Sequence, residues 1–183
     1  MKKEIEARFI EVNTDEITRK ALSLGGIDEG EYLLEETIFY DNELTWSSLG
    51  KYVRIRSYSN KHVVTYKEIN TDAIDGAEEV EFTVDKPEQL KEFLEKIKLT
   101  PFRVQQKKRR KIKFDGVVLD IDFWPKIPPM LEIEGDSEKL IKEMVEKLDL
   151  DWSKALFIDP KQIIENYGYD VTNMRYFTFD RCE

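Results

Sequence analysis

The chain has 183 residues, of which 37% are charged and 40% hydrophobic. That balance supports one globular domain over 1–183 with a real core, and it excludes wholesale disorder. The formal net charge of −9, from 38 acidic against 29 basic residues, argues against a general nucleic-acid binder.

Residues 3–12 alternate, with Glu4, Glu6 and Arg8 on one side and Ile5, Ala7 and Phe9 on the other, which predicts a strand with one charged face. Asn13-Thr14-Asp15 offers N-caps for a helix over 15–24, ended by Gly25-Gly26. Strands are predicted at 32–41, 51–58, 62–69 and 78–84. Asp85-Lys86-Pro87 opens a helix over 87–98, with Leu90, Phe93, Leu94 and Ile97 at helical spacing. Further strands follow at 102–114, 117–123 and 130–134. Ser137 caps a helix over 138–148, and Asp159-Pro160 starts a last one that Gly168 stops. Many strands with hairpin-scale gaps and few helices predict an α+β fold built on an antiparallel sheet.

Cys182 and His62 are the only residues of their kinds, so an intramolecular disulfide, a cysteine zinc site and a multi-histidine metal site are excluded. No apolar run is long enough to span a membrane, and residues 1–8 carry no apolar signal stretch. A cytoplasmic protein without membrane or nucleic-acid partners is expected.

The charged faces of the strands carry the functional signal. Arg54 and Arg56 oppose Val53 and Ile55; Lys67 opposes Val64 and Tyr66; Glu79 and Glu81 oppose Val80 and Phe82. Lys107, Arg109, Lys111 and Lys113 share a face of the long strand opposite Ile112 and Phe114. Asp120 and Asp122 oppose Leu119 and Ile121, and Glu132 and Glu134 oppose Leu131 and Ile133. Periodicity leaves two arrangements open. Facing outward, these side chains are a charged surface. Facing inward, they line a hydrated cavity for a charged ligand, because so many charges cannot be buried dry. Carboxylate pairs spaced by two residues would suit Mg²⁺ or Mn²⁺, which take hard oxygen ligands.

Glu4-Ile5-Glu6-Ala7-Arg8 resembles the ExExK signature of the CYTH superfamily, the triphosphate tunnel metalloenzymes. Tyr40-Asp41, Tyr52-Val53-Arg54-Ile55-Arg56, Thr65-Tyr66-Lys67, Glu79-Val80-Glu81, Lys107-Lys108-Arg109 and Asp122 with Glu132-Ile133-Glu134 resemble that family's later motifs in the same order. The resemblance implies an antiparallel eight-stranded β-barrel, with helices packed outside, that forms a tunnel. It implies metal binding by Glu4, Glu6, Glu132 and Glu134, with Asp122, Glu79 and Glu81 nearby. Triphosphate binding falls to Arg8, Arg54, Arg56, Lys67, Lys107 and Arg109, and catalysis to Asp122, Arg8 and Lys67. The implied cofactor is Mg²⁺ or Mn²⁺, and the implied partner a small-molecule triphosphate; family members are often homodimers. Hydrolysis of tripolyphosphate or an organic triphosphate is the first implied activity. The alternatives are a class IV type adenylyl cyclase and a non-catalytic polyphosphate- or nucleotide-binding module.

The chain departs from the family pattern in places. Arg8 replaces the signature Lys, and Phe39 stands where some triphosphatases carry Tyr, so any help from that phenol in hydrolysis is expected to be missing. Trp124 to Pro129 replaces a Leu-Gly segment and is expected to shape one tunnel mouth. Lys108 and Arg110 have the wrong parity for the cavity, and Asp120 has no family counterpart, so all three are expected to be surface charges. The aromatic C-terminal tail, with Trp152, Tyr167, Tyr169, Tyr176, Phe177 and Phe179, is expected to pack against the barrel, the alternative being a lid or substrate stack.

Overall fold

The computed structural model describes residues 2–183. The N-terminal stretch forms two strands, β1 (Lys2–Glu4) and β2 (Glu6–Ile10), followed by helix α1 (Thr14–Ser23) and strand β3 (Ile27–Asp41). A short helix α2 (Thr45–Ser48) leads to β4 (Lys51–Tyr58), β5 (Lys61–Ile69) and β6 (Ala77–Thr83). Helix α3 (Pro87–Lys96) precedes β7 (Leu99–Phe114), β8 (Val117–Phe123) and β9 (Met130–Gly135). Then come α4 (Glu138–Lys147), a 3-10 turn (Trp152–Lys154), α5 (Pro160–Asn166) and β10 (Tyr176–Phe177).

The strand order is β1-β6-β5-β4-β3-β7-β8-β9-β2, with antiparallel pairing throughout; β10 lies parallel beside β7. The path begins and ends on the same N-terminal stretch. β1 and β2 together with β3 to β9 therefore form an eight-stranded barrel-like wall. The single strand expected over 3–12 is broken at Ile5 because the chain changes partner there. Residues 2–4 pair with β6 and residues 6–10 with β9. At the switch the Ile5 carbonyl accepts from the Gly135 amide at 3.0 Å, and the Glu6 amide donates to the Ile74 carbonyl at 2.9 Å. The outer edge of β2 is held by Leu156, whose amide and carbonyl exchange 2.9 Å bonds with Arg8.

The apolar parity of the strands points out of the barrel and needs cover. Helices α1 and α4 supply Ile17, Ala21, Ile141, Met144, Val145 and Leu148, which pack on Ala7, Phe9, Leu119, Ile121, Leu131 and Ile133. Their starts are fixed by the expected caps: Asn13 accepts from the Glu16 amide and Ser137 from the Leu140 amide. Helix α3 lays Leu94 over Val53, Ile55 and Val64. A third cluster joins Ile163 and Ile164 of α5 to Trp124, Val171 and Phe177, so the C-terminal tail packs against the barrel. Each fully buried Leu or Ile contributes about 1.5–3 kcal/mol. The covered outer face is thus what allows the inner face to be polar.

Candidate active site: a charged channel inside the barrel

With the apolar side chains facing out, the charged parity faces in. A cavity of about 670 Å³ lies inside the barrel. It is lined by Glu4, Glu6, Arg8, Arg54, Arg56, Lys67, Glu79, Glu81, Lys107, Arg109, Glu132 and Glu134. The structure therefore brings together every site residue expected from sequence except Asp122. That side chain is fully buried behind the cations and does not line the cavity.

The inner wall is a chain of alternating charges. Lys67 Nζ contacts Glu4 and lies 3.6 Å from Glu6 Oε1. Glu6 Oε1 is 2.6 Å from Arg8 Nη2, and Arg8 Nε donates to Glu132 Oε2 at 3.0 Å. Glu132 Oε1 accepts from Arg109 Nη2 at 3.3 Å. Arg109 then grips Asp122 through Nε and Nη2, both at 2.6 Å, and also contacts Asp120. Lys107 Nζ donates to the same Asp122 at 2.7 Å. On the neighbouring strands β3 and β4, Glu36 Oε1 accepts from Arg56 Nε at 2.6 Å, and Arg54 Nη1 lies 3.8 Å away.

These contacts set the protonation of the wall. Burial opposes ionisation at Glu36, but Arg56, Arg54 and Lys107 outweigh it and hold the carboxyl well below the usual range. The same balance, won by Arg8 and Arg109, keeps Glu132 ionised, and Arg109 with Lys107 does so for Asp122. At Glu6 burial prevails over Arg8, and the carboxyl is raised. Burial and the neighbouring Glu4 push Glu79 up to about 8. Among the cations, burial and Arg109 push Lys107 down, whereas Glu6 and Glu132 overcome burial to hold Arg8 up.

Several lining residues lay outside the sequence expectation. Glu36 is 2% exposed and shares its inward parity on β3 with Ile38 and Tyr40. Arg103 and Gln105 continue the inward row of Lys107 and Arg109 back along β7. Asp120, expected as a surface charge, is buried at the cavity wall and contacts Arg109 and Lys111. Parity with Asp122 was its signal. Asp159 both caps α5 and lines the cavity. Lys108 and Arg110 do lie off the cavity: Lys108 sits over Phe179, and Arg110 pairs with Asp28. Phe39 is buried in the outer cluster with Val53 and Ile55, so a phenol at that position would point away from the cavity. Trp124 lines the cavity, so the segment after β8 does shape its wall.

The inward carboxylates of Glu4, Glu6, Glu79, Glu81, Glu132 and Glu134 offer hard oxygen donors, which suit a divalent cation. Burial and the charge of Glu4 hold a proton on Glu79, and a cation could replace that proton there. Among the described residues no three carboxylates stand close enough to enclose an ion as they are. Lys67 and Arg8 bridge them instead.

An eight-stranded antiparallel wall around an inward network of acids and bases defines a tunnel-type barrel. The sequence pattern of the CYTH domain matches residues 2–167, and the chain belongs to that family. Solved structures share the fold. The PH1012 protein from Pyrococcus horikoshii is 26% identical, over 85% of this chain and 96% of its own, with a TM-score of 0.71. A putative adenylate cyclase from Vibrio parahaemolyticus is 14% identical over 90% and 98%, with a TM-score of 0.74. The putative adenylyl cyclase HpAC1 from Hippeastrum, described as having a dominant triphosphatase activity, is 15% identical over 90% and 96%, with a TM-score of 0.63. Among curated proteins none matches this chain. No helix among the described residues is long and apolar enough to cross a membrane.

Proposed function

We propose that this protein binds a triphosphate with a divalent metal ion, Mg²⁺ or Mn²⁺, inside the barrel and hydrolyses a phosphoanhydride bond. The observation that carries this reading is the state of the inner cations. Arg54, Arg56, Lys107 and Arg109 face one cavity, and each is neutralised by a carboxylate of the chain itself. A polyanion offers those cations the same charge with more oxygens, so exchange of partners costs little net charge burial. Arg is suited to bidentate phosphate contacts, and Lys acts as a point charge.

In this reading Arg8, Arg54, Arg56, Lys67, Lys107 and Arg109 hold the phosphates. Glu4, Glu6, Glu132 and Glu134, with Glu79 and Glu81 beside them, would hold the metal. A bound ion would withdraw charge from the phosphate oxygens. Asp122 acts as a positioning residue: it touches only Lys107 and Arg109 in this network and fixes where those cations point. The same fold carries triphosphatase activity in the Hippeastrum protein.

The test is phosphorus NMR of the purified protein with Mg²⁺ or Mn²⁺, offered tripolyphosphate, ATP and thiamine triphosphate in turn. The expected products are orthophosphate and the matching diphosphate. Pyrophosphate with a cyclic nucleotide from ATP would replace hydrolysis with cyclisation. Tight binding without any product would leave a binding module.

A further inference from the structure

The tunnel contains a cation that the charge network leaves out. Arg8, Lys67, Arg103, Lys107 and Arg109 are the buried cations among the described residues. Four of them touch a carboxylate. Arg103 does not: its Nε donates to Gln105 Oε1 at 2.9 Å and its Nη1 to the Val171 carbonyl at 2.7 Å, both uncharged acceptors. Burying a guanidinium without a counter-charge is costly. The cavity wall that it joins also contains Trp124, 5% exposed, whose Nε1 is buried without an acceptor. Trp124 packs with Val171 and Phe177, so the cation without a counter-charge and the unspent indole N–H flank the same piece of the tail.

We propose that Arg103 and Trp124 form a second anion subsite in the tunnel, one that takes an anionic group lying beyond the triphosphate. This rests on the reading that the triphosphate sits at Lys107 and Arg109. Arg103 is four residues before Lys107 on the inward face of β7, a separation of about 13 Å along a strand. Trp124 joins the two: its ring lies 4.9 Å from Lys107 Nζ and packs with Val171, whose carbonyl takes Arg103. The subsite therefore adjoins the Lys107 end of the triphosphate and extends it. The ligand class is a linear polyphosphate longer than three phosphates, or an organic triphosphate that carries a further phosphate or carboxylate. The carbonyl that orients Arg103 comes from the tail after residue 167, beyond the part of the chain that matches the family pattern. β10 of the same tail, through Phe177, pairs with Gln105, the other acceptor of Arg103.

The experiment is titration calorimetry of wild type, Arg103→Gln and Trp124→Phe with four probes: tripolyphosphate, linear octaphosphate, ATP, and ATP bearing a 3′-phosphate on its ribose. Wild type is expected to bind octaphosphate at least tenfold tighter than tripolyphosphate, or the 3′-phosphorylated nucleotide at least tenfold tighter than ATP; which pair responds identifies the source of the anion. Arg103→Gln is expected to reduce that preference below threefold, and Trp124→Phe to reduce it in part. Arg103→Lys, which keeps the charge, is expected to retain part of it and serves if the Gln variant melts early. Absence of any preference in wild type, or an equal loss on short and long probes in Arg103→Gln, would overturn the subsite. Loss of tripolyphosphate and ATP binding with Arg103-dependent octaphosphate binding intact would instead overturn the triphosphate assignment and leave the subsite standing.

Discussion

Replacing Glu36 by Gln tests the internal neutralisation on which the proposed activity depends. Glu36 is 2% exposed, and both its oxygens are acceptors: Oε1 for Arg56 Nε and Oε2 for Gln105 Nε2, each at 2.6 Å. Gln105 cannot flip to accommodate an amide, because its own Oε1 already accepts from Arg103. An amide at position 36 must therefore turn one donor toward another, and Arg54 and Arg56 lose their shared counter-charge. Removing one partner of a buried pair costs about 3–5 kcal/mol. Arg54 and Arg56 retain 13% and 14% side-chain exposure, so the lower end, about 3 kcal/mol, is expected. For a chain of this size that lowers the melting temperature by about 6–12 °C. The vacated charge is one a triphosphate can supply. Calorimetric melts with and without tripolyphosphate should thus show a larger ligand-induced rise in Glu36→Gln than in wild type. A destabilisation below about 1 kcal/mol, or an equal or smaller ligand-induced rise, would refute the reasoning.

The ligand-free protein should show a stability maximum in mildly acid solution. Glu36, Glu132 and Asp122 have folded-state pKa values below their ordinary 4.5, 4.5 and 3.8, so their contribution is fully present above those values and is lost as pH falls below them through the lower folded-state values. Glu79 acts in the opposite sense: with its value raised from 4.5 to about 8, stability declines as pH rises across that window, and Glu79→Gln should flatten that slope in melts between pH 5 and 8. Arg8→Lys should cost about 1–3 kcal/mol in urea unfolding, since Arg8 Nη1 donates to the Ile158 carbonyl at 3.0 Å while Nη2 and Nε hold Glu6 and Glu132, a spread that an ammonium cannot cover. Glu132→Gln should weaken Mn²⁺ binding more than about tenfold, read by electron paramagnetic resonance of the free ion; unchanged Mn²⁺ affinity would remove Glu132 from the metal set.

Much of this architecture was legible because the strands carry two codes at once. The apolar parity of Leu131 with Ile133 and of Val53 with Ile55 marks the helix-covered face. The alternate positions hold charges too dense for an ordinary solvent face. What parity could not provide was the direction of closure, which depends on the partner switch at Ile5, a long-range event without a local mark. Glu36 carries no such mark, because Ile38 and Tyr40 share its parity and make the inward face of β3 read as apolar. Asp120 has no family counterpart, although its spacing from Asp122 places both on one face. Arg103 depends on Val171, 68 residues away, a contact that no pattern along β7 reveals.

The most direct test of the account is a crystal structure of the protein with tripolyphosphate and Mn²⁺. The polyphosphate is expected inside the barrel, contacting Arg54 and Arg56 of β4 and Lys107 and Arg109 of β7, with the ion on the side of Glu4, Glu6 and Glu132. Polyphosphate bound only on the outer surface, with those cations still paired to Glu36 and Asp122, would contradict it.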